Sequence, residues 1–370
     1  MVRFIARRLV LAVSVLALTS AFIRPAQACT GITLRARDGA VVYGRTMEWG
    51  TFDLHSRVSV IPRGLAFTGA TPDKQPGMRW TAKYGVVALD GVGKDIVLDG
   101  MNEKGLTAGI FYHPGFAEYP AYDPAKAAKT IGPTDLGTFL LTTCATVEEV
   151  RTAVSDVLVA PVVEEAIGIA PPVHLLVTEP SGKAIVVEFT KGKTVIHEAP
   201  LGVITNAPNY DWHNINLRNY VNLSPVAIPD KQLDGDTFKA LGGGSGMIGL
   251  PGDFTPPSRF VRAVAFSQTA RPTATGDETV YELFRILDNF NVPLGSAEGS
   301  GDDKTKGMRS STIWTTAHDT KNLVLYYHTA HNRRVRMVDL KKIDFGASKE
   351  IQRMPLDRVP EQDIEDVTPR

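Results

Sequence analysis

Ala26-Gln27-Ala28-Cys29-Thr30-Gly31 and, one turn later, Gly44-Arg45-Thr46-Met47-Glu48 bound the segment on which the reading of this chain rests. Thr30 to Ala36 and Ala40 to Thr46 have strand composition. Arg37-Asp38-Gly39 between them has turn chemistry, so the segment reads as a β-hairpin. The length of the loop sets the register. A two-residue Asp38-Gly39 turn pairs residues whose numbers sum to 77 and places Glu48 opposite Cys29. A three-residue Arg37-Asp38-Gly39 loop gives a sum of 76 and pairs Arg45 with Gly31, diagonal to Cys29 on the same face. Arg45 and Glu48 are three residues apart, so strict alternation brings only one of them to the Cys29 face. A bulge or bend at Met47 is needed for both. The plainer alternative is a solvent salt bridge between the two.

Residues 1–28 have the three parts of an export signal. Arg3, Arg7 and Arg8 are positive, Leu9 to Ile23 is uncharged and apolar, and Ala26-Gln27-Ala28 is an A-x-A cleavage site. The apolar run falls short of the roughly 20 residues a membrane-spanning helix needs. The expectation is a cleaved signal peptide over 1–28, an exported protein (periplasmic or secreted), and one domain over 29–370. Cutting after Ala28 would give Cys29 a thiol and a free α-amine on one Cα, a nucleophile with its own base. A thiol titrates at about 8.5 and an α-amine at about 7.7–8.0, so the amine can take the thiol proton. A neighbouring guanidinium is expected to lower the thiol further, and a carboxylate beside the amine would orient it. Two alternatives bear on Cys29. A lipoprotein signal would carry a leucine-like residue where Ala26 stands, and acylation would remove the base. A Cys29–Cys144 disulfide would also remove the nucleophile, although Cys144 ends an apolar run, Leu140 to Cys144, typical of a buried helix.

The 40 basic and 40 acidic residues balance; the four arginines at 3, 7, 24 and 8 all lie in the signal, leaving 36 basic against 40 acidic in the mature chain. A net charge of −4 with no Lys/Arg-rich run argues against nucleic acid or an anionic membrane as partner.

Strand-like runs follow the hairpin at Val58–Ile61, Tyr84–Leu89 and Leu106–Tyr112, with a Pro/Gly-rich loop over Ala66 to Met78. Helix signals open at Pro133-Thr134-Asp135 and at Thr146, where Glu149 completes a capping box for a helix to about Leu158. Val173–Thr178 and Lys183–Thr190 flank the turn Glu179-Pro180-Ser181-Gly182, and Thr194–Glu198 and Gly202–Thr205 continue that sheet. Helices are expected at Ser258–Thr269 and Glu278–Phe290. A final strand group covers Thr312–Ala317, Leu323–His328 and Val335–Leu340, and the charged tail from Lys349 reads as a surface wrap. Strands at both ends with helices grouped between them make an α+β layout.

Competing chemistries are poorly supported. None of the eight histidines sits in an HExxH, and no His/Cys set has structural-zinc spacing, so no metal is expected. A papain-like Cys–His pair stays open. His318, His328 and His331 read as structural or exposed. There is no G-x-S-x-G elbow, and Gly242-Gly243-Gly244-Ser245-Gly246 lacks the Lys-Ser/Thr of a phosphate loop, leaving it a turn.

Cys29-Thr30-Gly31 followed by Gly44-Arg45-Thr46-Met47-Glu48 resembles the opening of the choloylglycine hydrolases, the N-terminal-nucleophile group of bile salt hydrolases and penicillin V acylases. The resemblance continues through Asp99-Gly100-Met101-Asn102-Glu103-Lys104-Gly105-Leu106 and Val203-Ile204-Thr205-Asn206-Ala207-Pro208. Its most specific stretch is Gly249-Leu250-Pro251-Gly252-Asp253-Phe254-Thr255-Pro256 leading into Ser258-Arg259-Phe260. It implies an αββα sandwich, two antiparallel sheets between helical layers. It implies Cys29 as nucleophile, Arg45 beside it, Asn206 in the oxyanion hole and Arg259 as a second active-site arginine. Tyr112 falls where bile salt hydrolases usually have Asn and penicillin V acylases Tyr, and its backbone N–H is the second oxyanion donor. Glu48 departs from the Asp that the family normally has. The implied reaction is acyl transfer without cofactor: hydrolysis of the amide in glycine- or taurine-conjugated bile acids, with penicillin V or another N-acyl amide such as an acyl-homoserine lactone as the alternative. Trp49, Phe52 and Phe111 suit a bulky apolar acyl group. A non-catalytic secreted or lipidated binding protein on this fold is a third reading. Members of the group are often homotetramers, and the sequence itself marks no interface.

Overall fold

The hairpin closes with the three-residue loop. Strand β1 (Thr30–Arg35) pairs antiparallel with β2 (Val41–Trp49), Gly31 opposite Arg45. Gly39 turns the loop at φ +84°, where an L side chain would be strained. The structure, a computed structural model, describes residues 29–50, 53–298, 309–359 and 361–369; residues 1–28, read above as an export signal, and Phe52 lie outside these residues.

Strands β3 (Arg57–Ile61), β4 (Val86–Gly91), β5 (Ile96–Asn102) and β6 (Thr107–Tyr112) follow. Helices α1 (Leu136–Thr143) and α2 (Val147–Asp156) come next, then β7 (Val173–Thr178), β8 (Ala184–Thr190), β9 (Lys193–Glu198) and β10 (Val203–Ile204). Helices α3 (Tyr210–Leu217), α4 (Pro256–Thr269) and α5 (Gly276–Leu287) precede β11 (Arg309–Asp319), β12 (Val324–Thr329), β13 (Arg336–Asp339) and β14 (Gln352–Pro355). One sheet runs β10-β1-β2-β11-β12-β13, and the other β9-β8-β7-β6-β5-β4-β3-β14.

The layers follow from which faces are apolar. Helices α4 and α5 pack on β1, β2 and β11, and α1 packs on β5 and β6. Ile32, Tyr43, Leu176 and Phe111 share one buried cluster with Phe260 and Leu283 of the first helical layer. Ala108, Leu175 and Val187 join Leu140 and Val150 of the second. The inner strands of the second sheet, β4 to β8, therefore bury both faces, which explains their apolar runs, while the edge strand β9 is half-buried and β14 exposed. This is the αββα sandwich expected. Cys29 belongs to the first cluster and Cys144 to the second, and both thiols are free. The disulfide reading is thereby excluded.

Several expectations are corrected. Gly202–Thr205 does not continue the second sheet: its ordered part, β10, crosses over and pairs with β1. The Ala66–Met78 loop begins with a short strand, Ala66–Thr68, paired with Arg79–Thr81. The C-terminal tail contributes β14, an edge strand against β3. Strand β5, helix α3 and an exposed hairpin, Lys231–Leu233 with Asp236–Phe238, were not anticipated from the pattern. The Thr146 hydroxyl accepts from the Glu149 N–H at 3.2 Å, but the Glu149 carboxylate accepts from Ala145, one residue before the cap. No helix among the described residues is long and apolar enough to cross a membrane.

Candidate active site

By the same register Cys29 lies opposite Met47, and its thiol points at the Met47 sulfur, 3.9 Å away. Arg45 is on that face. Its guanidinium lies 4.2 Å over the Phe111 ring and donates to the carbonyls of Leu98 (3.3 Å) and Ile110. Those carbonyls are available because β5 and β6 pair only as far as Gly109, so the strands separate where Arg45 enters from the opposite sheet. Gly31 makes the fit possible. A Cβ there would stand 2.7 Å from Phe111 Cζ and 2.9 Å from Ile204 Cγ2.

The bulge expected at Met47 is absent: β1 and β2 pair in regular register and Glu48 stays on the Thr46 face, opposite to Arg45, while a register shift lies on the neighbouring strand. Thr312 pairs with Glu48 and Trp314 with Met47, so Ile313 is the extra residue of a bulge in β11. The Thr312 hydroxyl donates to Glu48 Oε1 at 2.7 Å. Glu48 is completely buried, so the solvent salt bridge does not form. Burial pushes its carboxyl up to about 7, against the pull of the Arg259 charge and the hydroxyls of Thr312 and Thr46.

Arg259 reaches Cys29 from the helical side of β1. It donates to the carbonyl of Cys29, to the Thr30 hydroxyl (3.0 Å), to the Phe254 carbonyl (2.8 Å) and to Asn206 Oδ1 (2.7 Å). Burial lowers its guanidinium to about 10, with the charges of Glu48 and Cys29 opposing. The Asn206 amide in turn donates to the Tyr112 carbonyl at 2.8 Å, leaving one amide hydrogen unspent. Tyr112 N–H shares that direction. His113, just past β6, donates to the carbonyl of Pro172, just before β7, so by antiparallel alternation the Tyr112 peptide groups face away from β7, toward the gap beside β5.

One expectation about the thiol needs correction. Arg45 and Arg259 do lower it, but desolvation is larger, and the Cys29 thiol stands above its ordinary value. In the absence of an adjacent base, two buried arginines are not enough to ionise it.

The cluster opens on an apolar cleft of roughly 700 Å³ that includes space open to solvent. Cys29, Glu48, Trp49, Leu98, Tyr112 and Val173 are among its walls. Trp49 meets Tyr112 edge to face at 6.4 Å, and burial raises the Tyr112 phenol to about 12, which keeps it neutral. Phe111 serves Arg45 rather than the cleft. No histidine lines this cleft, which removes the papain-like pairing. His318 and His328 are buried and His331 is exposed.

The six expected site residues, Cys29, Arg45, Glu48, Tyr112, Asn206 and Arg259, thus converge. Others were missed. Asp99 is buried and accepts from Tyr43 (3.0 Å), Thr316 (2.6 Å) and His318 (2.7 Å), and its charge also reaches Arg45. Glu188 was legible as a lone acid inside Ile185-Val186-Val187-Glu188-Phe189, an apolar strand with no other reason for it.

The chain belongs to the linear amide C–N hydrolases of the choloylglycine hydrolase family, whose description matches residues 29–353, beginning at Cys29. It is therefore an amidohydrolase of the bile salt hydrolase and penicillin V acylase group. A bile salt hydrolase/transferase of Clostridium perfringens is 32% identical over 320 residues, covering 85% of this chain and 93% of that protein. A penicillin V acylase of Pectobacterium atrosepticum is 28% identical, covering 82% of this chain and 78% of its own. Among solved structures, a conjugated bile acid hydrolase variant of C. perfringens superposes with a TM-score of 0.79 at 29% identity, over 92% of this chain and all of that one. A penicillin V acylase of Agrobacterium tumefaciens gives 0.69 at 25%, over 90% and 95%.

Proposed function

We propose that the protein is exported, is cut after Ala28 to expose Cys29, and hydrolyses conjugated bile acids through a thioester on that cysteine. The observation that carries this reading is the position of Cys29. It sits at the head of β1 between two buried arginines and beside a buried carboxyl, at the inner end of an apolar cleft. The raised thiol makes a base necessary, and the α-amine created by cleavage is the nearest one. The thiol proton passes to the amine as sulfur attacks the amide carbonyl carbon. The resulting oxyanion takes the free Asn206 amide hydrogen and the Tyr112 N–H, contacts of a kind worth about 3–4 kcal/mol. The amine then returns the proton to the leaving nitrogen as the C–N bond breaks, which leaves a thioester. Water, deprotonated by the same amine, releases the acid and restores the thiol.

The cleft is walled by apolar side chains, Leu54, Leu98, Ile110 and Val173 among them, which suits a bulky apolar acyl group. Tyr112, the residue type of penicillin V acylases, favours the second reading, penicillin V or another N-acyl amide. Parallel assays on glycocholate, taurocholate and penicillin V, scoring glycine, taurine and 6-aminopenicillanic acid release, decide between them. The bile conjugates are expected to turn over fastest, and preferential cleavage of penicillin V would reverse the assignment. Cys29→Ser should be processed normally and lose most turnover, since an alcohol at this site has no accessible thiolate. Wild-type turnover in that variant would remove the mechanism. Mass spectrometry of the exported N-terminus addresses the binding-protein reading: a free Cys29 amine supports the enzyme, and a diacylglyceryl group contradicts it.

A further inference from the structure

Behind Asn206 lies a buried group of ionisable residues that the reaction above does not use. His174 of β7 and Glu188 of β8 are almost wholly inaccessible to solvent, as is His213 of α3. His174 Nε2 is 3.1 Å from the carbonyl of Thr205, and His213 Nε2 is 2.9 Å from the carbonyl of Asn206. Two imidazoles thus hold consecutive carbonyls of the segment that carries the Asn206 amide.

The proton inventory shows how tightly. A carbonyl only accepts, so both Nε2 atoms are donors. Glu188 Oε1 accepts from the Tyr210 N–H at 2.9 Å and sits 3.2 Å from His174 Nδ1. Burial opposes a charge on Glu188, but the bonds from His174 and His197 outweigh it and hold the carboxyl well below the usual range. His174 is thus tied at both ends, to Glu188 at Nδ1 and to the Thr205 carbonyl at Nε2. His113, stacked on it with ring centroids 4.2 Å apart, stays neutral: burial, with the neighbouring His174, lowers it to about 3. Ligand atoms of His113, His174 and Glu188 lie within 4.8 Å of one another, a spacing a cation could use. Both His174 nitrogens are already engaged, so a metal would have to break the Thr205 and Glu188 bonds. His213 is anchored on its other side, stacked 4.8 Å from Phe260, the neighbour of Arg259 on α4.

We propose that His174, clamped by Glu188, and His213 are positioning residues that fix the Thr205–Asn206 backbone, so that the Asn206 amide keeps its aim at the oxyanion. The inference rests on the reading of Asn206 as an oxyanion donor, and the site needs it. The Asn206 side chain is held only at its tip, by Arg259 and the Tyr112 carbonyl, and a donor must be placed within about 0.5 Å to act.

The test is a double-mutant cycle on glycocholate, or on penicillin V if that is the better substrate. His174→Leu removes the Thr205 bond; His174→Gln keeps an amide nitrogen where Nε2 stood; Asn206→Ala removes the donor itself. Asn206→Ala should lower kcat by about 10²–10³. His174→Leu should lower kcat by about tenfold or more with KM within about threefold, and His174→Gln should recover most of that loss. In the Asn206→Ala background, His174→Leu should cost nothing further, because residues acting as a unit are not additive. An undiminished effect in that background, or no rescue by Gln, would overturn the proposal and mark His174 as structural. Thermal melting of each variant confirms that rates are read on folded protein. If Asn206→Ala retains full activity, the oxyanion reading itself is wrong, an outcome distinct from failure of the histidine proposal.

Discussion

Glu48 takes the place of an expected shorter acid, and its environment is measurable. Its carboxyl keeps a proton to about pH 7 when folded and to its ordinary value of 4.5 when unfolded. That contribution to stability is fully present below about pH 4.5 and is lost as pH rises through 7, a difference of about 3 kcal/mol. Wild-type melting temperature should fall across this interval, and Glu48→Gln should flatten the profile. Parallel profiles would place the charge elsewhere. Gly31 makes a second residue-scale prediction. Gly31→Ala drives a methyl group into Phe111 and Ile204, and should cost about 1–3 kcal/mol while shifting Arg45 from its seat over the ring. A fluorescence melt matching wild type would show the approach to be looser than described. Cys29, Arg45 and Glu48 were legible in the sequence because their types and spacing suit one chemistry. Arg259 and Asn206 were legible only through resemblance. The sign of the Cys29 shift was not, since it depends on how completely the fold desolvates the thiol.

At the scale of elements, the hairpin and the β11 bulge divide the work. The three-residue loop delivers Arg45 to the Cys29 face, and Ile313 lets Thr312 hold Glu48 where simple alternation would not. Hairpin arithmetic reduced the register to two choices, and Gly39 at positive φ selected one. The spacing pointed to a bulge at Met47, which the regular hairpin does not have, and the bulge opposite Glu48 on a strand more than 260 residues away was not legible. The separation of β5 from β6 is the other device. Arg45→Leu would leave the Leu98 and Ile110 carbonyls buried without a donor, at a cost of about 2–4 kcal/mol. Urea unfolding should show this loss with an unchanged m-value. A variant as stable as wild type would mean that the two strands close the gap themselves. Helix α3 escaped sequence reading because Tyr210-Asp211-Trp212-His213 has weak helical periodicity and draws its stability from α4.

For the molecule as a whole, the grouping of strands at both ends was enough to give an α+β layout, and the sandwich followed only from the resemblance. Which sheet each strand joins was not legible. Val203–Ile204 is a two-residue strand whose partner, β1, lies far away in sequence, and its crossing brings Asn206 to Cys29. The tail showed charge and proline, which describe a surface, yet Gln352–Pro355 finds a free edge on β3. The central claim is that cleavage after Ala28 creates the catalytic base. It is tested most directly by comparing two purified proteins in glycocholate hydrolysis, one beginning at Cys29 and one retaining Ala28. The extra residue, which turns the amine into an amide, should lower kcat by about 10²–10⁴ with the fold intact. Equal turnover by the two would contradict it.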